Sequence, residues 1–381
     1  MTLQSHFEAS SGLGSLSRPF RYEMIDGLRG LAAAAVVAHH LGIAPVGHAA
    51  VMLFFVISGY CIAAAAETGR LRGMGFGQFM WRRARRIFPP YLFALAFFTL
   101  TRVVKAAATG HQGLSHSWVD WLQNLTLTQW LTLLWHPVAD APQNPTLFVA
   151  AFWSLNYEEQ FYLVMALLLA LSLWRRIPMW PAILALGVVG LAWNLAVPEG
   201  WITGFFLEYW VHFALGALLF HALCLEPRTF RSLFVVLVLV LGGYALARLL
   251  LLPPSMPGPR VYGEYVVVCA FTLFLYFMRP LSAAVSRAWL WRPVAGLGAI
   301  AYSLYLVHQF NLTLVVELTR PLQPYVVEPV RQALMLALEI GLASIFWYFC
   351  ERPFLNRPWQ KSAPPPPAAL NAPGQAHIYT R

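Results

Sequence analysis

Ten apolar runs, each about as long as a lipid bilayer is thick, divide this chain. They fall at roughly 25–45, 49–68, 87–105, 147–173, 180–197, 203–224, 232–252, 262–279, 294–317 and 330–350. About twenty apolar residues in a helix cross a hydrocarbon core. Inside lipid the backbone has no water to bond, so a spanning segment is either a helix or a strand of a closed barrel. Barrel strands would show alternating polarity over about ten residues, and no such pattern occurs. The fold class expected is therefore all-α: a polytopic integral membrane protein of about ten transmembrane helices. Only 11% of residues are charged, about half the share of an ordinary soluble domain.

The net charge of +10 invites a nucleic-acid partner, but the basic residues are placed by topology. With the N-terminus cytoplasmic, 20 of the 26 basic residues lie on the inner side. That bias fixes orientation and puts both termini in the cytoplasm of a multi-pass protein. Nucleic acid is excluded as a partner, and membrane lipid is the expected surroundings. The expected division is a cytoplasmic segment at 1–21, a membrane domain at 22–357 and a disordered Pro/Ala-rich cytoplasmic tail at 358–381. The N-terminus shows no separate cleavable leader. The outer loop at 106–146 has no Lys or Arg and carries Trp118, Trp121, Trp130 and Trp135, as an interfacial loop does; a plain loop is favoured over a lid. Cys61, Cys224, Cys269 and Cys350 lie in or beside apolar runs without metal or redox spacing, so no metal is expected. Oligomeric state is left open.

The first run holds Arg29 and His40, eleven positions apart with little polar between them. Ionisable groups inside a span are costly and usually have a function or a partner. Eleven residues of helix rise about 16 Å and return to nearly the same face. Asp26 falls within about 40° of that stripe. Arg29 is then near the membrane edge and His40 deep. A neutral imidazole is a competent general base near pH 7; a packing histidine is the alternative. His39 lies on another face.

Four arginines, Arg82, Arg83, Arg85 and Arg86, precede the third run, more than topology requires. Arginine forks bind phosphate bidentately, so a polyphosphorylated cytoplasmic ligand or anionic lipid suits them. Pro89 and Pro90 fit the first turn of a following helix. In the second run Ser58 reads as a packing residue and Gly59 as one that keeps space open. The fourth run opens Trp153-Ser154-Leu155-Asn156-Tyr157-Glu158-Glu159, and Glu158 shares a face with Ser154 and Tyr162. One carboxylate could pair with a buried base or arginine and the other face water. Tyr305 and His308 in the ninth run could contact a polar acceptor or simply pair. Glu351 beside Pro353 reads as a charged helix stop.

These residues, in order, resemble the membrane acyltransferase-3 family, which includes bacterial O-antigen and exopolysaccharide O-acetyltransferases. The matching motifs are Asp26-Gly-Leu-Arg29-Gly through His40, Phe55-x-Ile-Ser58-Gly59-Tyr60 and Arg82-Arg83-x-x-Arg86-Ile-x-Pro89-x-Tyr91. Trp153-Ser-Leu-x-x-Glu158-Glu-Gln-Phe-Tyr162, Tyr302-Ser-Leu-Tyr305-Leu-x-His308 and Glu351-x-Pro353 complete the set. Tyr60 stands where Phe is commoner, and Asn156-Tyr157 where Ser-Val is. The resemblance implies an acyl-CoA-dependent O-acyltransferase of the cell inner (plasma) membrane. It would transfer acetyl or another short acyl group to a sugar hydroxyl of a surface polysaccharide, lipid-linked glycan or glycosylated metabolite. Acyl-CoA, first of all acetyl-CoA, is then a co-substrate, a carbohydrate is the acceptor, and no cofactor is permanently bound. The implied catalytic residues are His40, Arg29 and Glu158, with Arg82, Arg83 and Arg86 on the coenzyme. Asp26, Ser58, Gly59, Trp153, Tyr305 and His308 would bind substrate or support the site.

On this reading His40 takes the proton of the acceptor hydroxyl, which attacks the thioester. Arg29 orients the donor or His40, and Glu158 holds the imidazole tautomer. An acyl-histidine intermediate is a second route. Two other classes stay open: a transporter without chemistry, and a membrane acyltransferase with a lipid acceptor.

Overall fold

The computed structural model describes residues 22–109, 116–135, 138–139, 147–197, 201–251 and 259–355. The expected segments at 1–21 and 358–381, and parts of the 106–146 loop, lie outside the described residues.

Each of the ten apolar runs coincides with one helix: α1 (Ile25–His40), α2 (Gly47–Leu71), α3 (Phe76–Thr109), α6 (Trp153–Arg175) and α7 (Trp180–Ala196), then α8 (Leu207–Cys224), α9 (Arg228–Leu251), α10 (Pro259–Met278), α12 (Trp291–Thr319) and α13 (Glu328–Phe346). Short helices fill connections: α4 (Trp118–Thr126), α5 (Trp130–Trp135) and α11 (Ser282–Arg287). The described strand residues form one two-residue ladder, Val138–Ala139 with Trp201–Ile202. Among the described residues seven helices (α2, α3, α8, α9, α10, α12 and α13) have the length and hydropathy to cross a membrane. The apolar α7 is shorter, at 17 residues. The remaining two of the ten expected spans are α1, with 16 residues, and α6, whose second turn carries Glu158 and Glu159.

Helices apolar on every side are either enclosed or lipid-facing, and both kinds occur. On α8, Trp210, Phe213 and Phe220 are fully buried, and the helix packs along α2 and α7. On α9, Leu233, Val236, Leu239 and Val240 are exposed, as on the rim of a bundle in lipid. Small residues allow the closest approaches, because helices in lipid associate through packing rather than water exclusion. A Cβ on Gly216 would lie 1.8 Å from the Val56 carbonyl oxygen, and one on Gly59 2.0 Å from that of Phe213. Gly216→Ala therefore forces α2 and α8 apart, at about 1–3 kcal/mol. We expect it to lower the thermal midpoint of the detergent-purified protein, while Gly243→Ala, whose Cβ meets nothing within 4 Å, does not. Equal midpoints for the two variants would contradict this packing.

The α2–α8 contact corrects one expectation. Gly59 serves helix contact rather than ligand space, because a neighbouring backbone occupies the room its missing side chain leaves. A second correction concerns α3. Pro89 and Pro90 lie inside one continuous 34-residue helix instead of opening a new one. They remove the bonds that would reach the carbonyls of Arg85 and Arg86. Tertiary bonds hold this stretch: the Tyr302 hydroxyl donates to the Ile87 carbonyl at 3.0 Å, and that of Tyr91 to the Asn124 carbonyl at 2.5 Å. Asn124 belongs to the outer cap formed by α4 and α5. Its Oδ1 accepts from the Phe148 N–H at 3.1 Å, which fixes the start of α6. Trp118 and Trp135 are exposed on this cap.

Candidate active site

At the centre of the bundle α1, α2, α3, α6 and α12 line a partly open cavity, about 780 Å³ with the space at its mouth included. Arg29, Ser58, Arg83, Arg86, Glu158 and Tyr305 are among its lining residues. Three guanidinium groups face one carboxylate, so the lining is positive. Arg29 is set by the α1–α12 crossing. A Cβ on Gly30 would lie 2.4 Å from the Gly298 nitrogen, and one on Gly298 2.2 Å from the Asp26 carbonyl oxygen. This close approach lets Arg29 Nη2 donate to the Gly298 carbonyl at 3.3 Å, while Asp26 Oδ1 lies 3.5 Å away. Its buried Nε has no hydrogen-bond partner.

Arg83 projects from α3 between two rings, 5.4 Å from the centre of Phe79 and 5.6 Å from that of Tyr162. Such cation–π contacts stabilise a charge that is leaving water. Glu158 Oε1 accepts from the Tyr162 hydroxyl at 2.6 Å and from Ser58 Oγ at 3.3 Å. The i, i+4 spacing on α6 creates the first bond. Ser58 is therefore a polar wall residue, not the packing residue expected.

On the arginine-rich face a vestibule, about 1350 Å³ with its open mouth included, is lined by Glu23, Asp26, Arg29, Arg86, Arg287 and Glu351, among others. Arg29 and Arg86 line both this vestibule and the interior cavity. They stand at the boundary where a molecule would pass from one to the other. Glu351 corrects the reading of a helix stop at the interface. The Trp347–Glu351 segment is a π-helical turn, a form frequent at functional sites. It leaves Glu351 buried, accepting from the Ser303 N–H at 3.1 Å and the Ser303 hydroxyl at 2.5 Å. The residue type beside the last apolar run was visible in the sequence; the turn that swings it inward was not.

At the outer end of the cavity Tyr305 forms part of the wall. Its hydroxyl donates to the Ala151 carbonyl and pairs with Ser154 Oγ at 2.7 Å. One turn further along α12, His308 is buried, with Nδ1 2.8 Å from the Tyr305 carbonyl and Nε2 without a partner. Its ring lies 4.9 Å from that of His40. His40 is the last residue of α1 and is exposed. The expectation of a deep His40 is thus corrected: α1 stops there, so the imidazole stands at an accessible rim while Arg29 borders the interior. Glu158 does not hold the His40 imidazole, because its bonds go to Ser58 and Tyr162 across the cavity from that rim.

The structure thus gathers Arg29, Arg83, Arg86, Ser58, Glu158 and Tyr305 into one chamber and sets His308 and His40 just beyond it. Arg82 lines neither space described above. Asp26 belongs to the vestibule, with its side chain 72% exposed. Trp153 lies on the outer side, its ring 6.2 Å from Phe55 and 5.5 Å from Tyr209.

The acyltransferase-3 family, described as an acyltransferase domain, matches residues 22–348 of the chain. The chain is 31% identical over 178 residues to the peptidoglycan O-acetyltransferase OatA of Listeria monocytogenes, covering 44% of this chain and 28% of that protein. It is 25% identical over 363 residues to the O-acetyltransferase OatA of Staphylococcus aureus, covering 87% of this chain and 57% of that protein. The chain thus spans little more than half the length of the Staphylococcus relative. No solved structure matches it.

Proposed function

The chain belongs to the acyltransferase-3 family, and from that premise we propose that it is an inner-membrane O-acyltransferase. It moves a short acyl group, acetyl first of all, from acyl-CoA to a hydroxyl of a carbohydrate. The observation that carries this reading is the pair Arg29 and Arg86, shared by the inner vestibule and the interior cavity. Coenzyme A is a cytoplasmic polyphosphate with a long, thin thioester arm. Guanidinium forks at the inner mouth suit its phosphates, and a narrow chamber beyond them suits its arm. The relatives from Listeria and Staphylococcus are named as O-acetyltransferases, the former of peptidoglycan, which supports a polysaccharide acceptor.

His40 accepts the proton of the acceptor hydroxyl at the outer rim. The hydroxyl oxygen attacks the thioester carbonyl, the C–S bond breaks, and the electron pair leaves with the thiolate. His40 then gives up the proton, so that ester and free thiol form without other reactants. Arg29 stabilises the negative charge of the donor's phosphates at the inner mouth. Glu158, held by Ser58 and Tyr162, balances the positive lining and fixes the wall beside Arg83.

The test uses membranes containing the full chain, acetyl-CoA labelled in the acetyl group and a soluble sugar as acceptor. We expect labelled sugar ester and an equal amount of free coenzyme A. A carrier would release no coenzyme A, and that result overturns the reading; label in lipid alone would assign a lipid acceptor instead.

A further inference from the structure

A second imidazole cluster in the outer part of the bundle is left unused by the chemistry above. His48 Nε2 lies 2.5 Å from Glu264 Oε1, and His212 Nε2 lies 3.5 Å from Glu264 Oε2. Three helices, α2, α8 and α10, meet to bring these side chains together. Glu264 is 9% exposed, His212 1% and His48 39%. A buried carboxylate inside a membrane bundle is costly, so it marks a site with a purpose.

The geometry fixes His48 on every side but one. In its neutral form the ring donates Nε2–H to Glu264 and keeps the Nδ1 lone pair as an acceptor. One face lies almost parallel to the Trp153 indole, 6.2 Å between centres and 13° between planes. Trp153 is in turn braced edge-on by Phe55 and Tyr157. A ring held by a carboxylate in its plane and by an indole on its face is pre-organised for one direction of hydrogen bonding. Among the described residues the ring neighbours of His40 are His39 and His308, with no carboxylate paired to it.

The cluster stands next to the outer rim. His48 precedes Phe55 by seven residues on α2, which is two turns, about 10 Å, on the same face, and Phe55 lines the interior cavity. A Cβ on Gly47 would lie 2.5 Å from His39 Cδ2, so the first turn of α2 abuts the end of α1 that carries His40. An oriented acceptor nitrogen beside aromatic walls suits a ligand with both hydroxyl donors and apolar C–H faces, which describes a pyranose.

We propose that His48, oriented by Glu264 and His212, binds the carbohydrate acceptor. Its Nδ1 accepts a hydrogen bond from a sugar hydroxyl and so presents the neighbouring, reacting hydroxyl to His40. The inference rests on the acyl-transfer reading. His48 and Trp153 would touch the sugar; Glu264 and His212 are positioning residues that act through His48.

The test uses the full chain in lipid nanodiscs, labelled acetyl-CoA, and methyl β-D-glucopyranoside competing with water as acceptor. His48→Ala lowers the ratio of sugar ester to free acetate at least tenfold, chiefly by raising the KM for the sugar. Glu264→Gln acts in the same direction, and the double variant is no worse than His48→Ala alone, because one acts through the other. His48→Asn, which keeps an acceptor atom near the Nδ1 position, recovers part of the ratio. An unchanged ratio, or ester and acetate falling together at constant sugar KM, overturns the proposal. If the wild-type chain transfers acetyl to neither sugar nor water, the acyl-transfer reading fails, and tryptophan fluorescence then judges the site by itself. Saturable quenching by the sugar that is lost in His48→Ala supports sugar binding there; equal or absent quenching in both proteins overturns it.

Discussion

Arg29→Ala lowers acetyl transfer from acetyl-CoA roughly 10- to 150-fold in a protein that still inserts and assembles. Arg29 stands at the boundary shared by vestibule and chamber, and its buried Nε has no hydrogen-bond partner among the described residues. Donor capacity held ready in this way is available to a ligand. Loss of a hydrogen bond to a charged group costs about 1.5–3 kcal/mol, roughly 10- to 150-fold. That range is the expected effect. Arg86 shares the boundary, and the loss in Arg86→Ala appears mainly as a raised KM for the donor. Arg29→Lys does not restore full activity, because an ammonium lacks the planar fork. Steady-state transfer in membranes, normalised to inserted protein, is the measurement. A rate within fivefold of wild type for Arg29→Ala would remove Arg29 from the proposed machinery.

His40→Ala is expected to cost about 10²–10⁴ in the transfer step, the usual contribution of a general base, with little change in the KM for the donor. The position of His40 supports this separation. It lies at the exposed end of α1 beside His308, away from the arginines that would hold the donor's phosphates. His39, whose ring is 5.3 Å away, has no place in the chemistry, and His39→Ala should stay within threefold of wild type. The comparison of these two neighbouring variants separates proton transfer from general damage to the helix end. Near-normal turnover in an inserted His40→Ala protein would sink the assignment. A fall of the donor KM and kcat together would instead point to ground-state strain.

Much of this site was legible in the sequence for a definite physical reason. Charge inside an apolar run is rare enough to stand out, so Arg29, Glu158 and the arginines at 82–86 were visible without neighbours. Helical spacing joined Glu158 to Tyr162, and the hydroxyl does bond that carboxylate. What failed depended on partners distant along the chain. Ser58 and Gly59 exchange their expected roles because Glu158 and Phe213 lie opposite them. Pro89 and Pro90 sit inside a helix because Tyr302 and Asn124 bond the backbone and Tyr91 around them. Glu351 turns inward through a π-helical turn that no period in the sequence announces. Likewise, His48 and Glu264 meet across 216 positions, and each alone resembles an ordinary polar residue near a span end.

The enclosure of α8 has a consequence for how the protein is made. Helices enter a bilayer one after another during synthesis and pack afterwards. On arrival α8 carries Glu208, His212 and His221 and offers lipid a surface that the finished bundle covers almost entirely. It is poorly suited to wait alone. The Gly59 seat on α2 has by then already left the ribosome, whereas α10, which brings Glu264 to His212, has not. The early partner gives α8 its docking face, and the late one brings a carboxylate to His212. Assembly of this bundle is therefore completed from the C-terminal half, around a helix that was committed before its last neighbours existed.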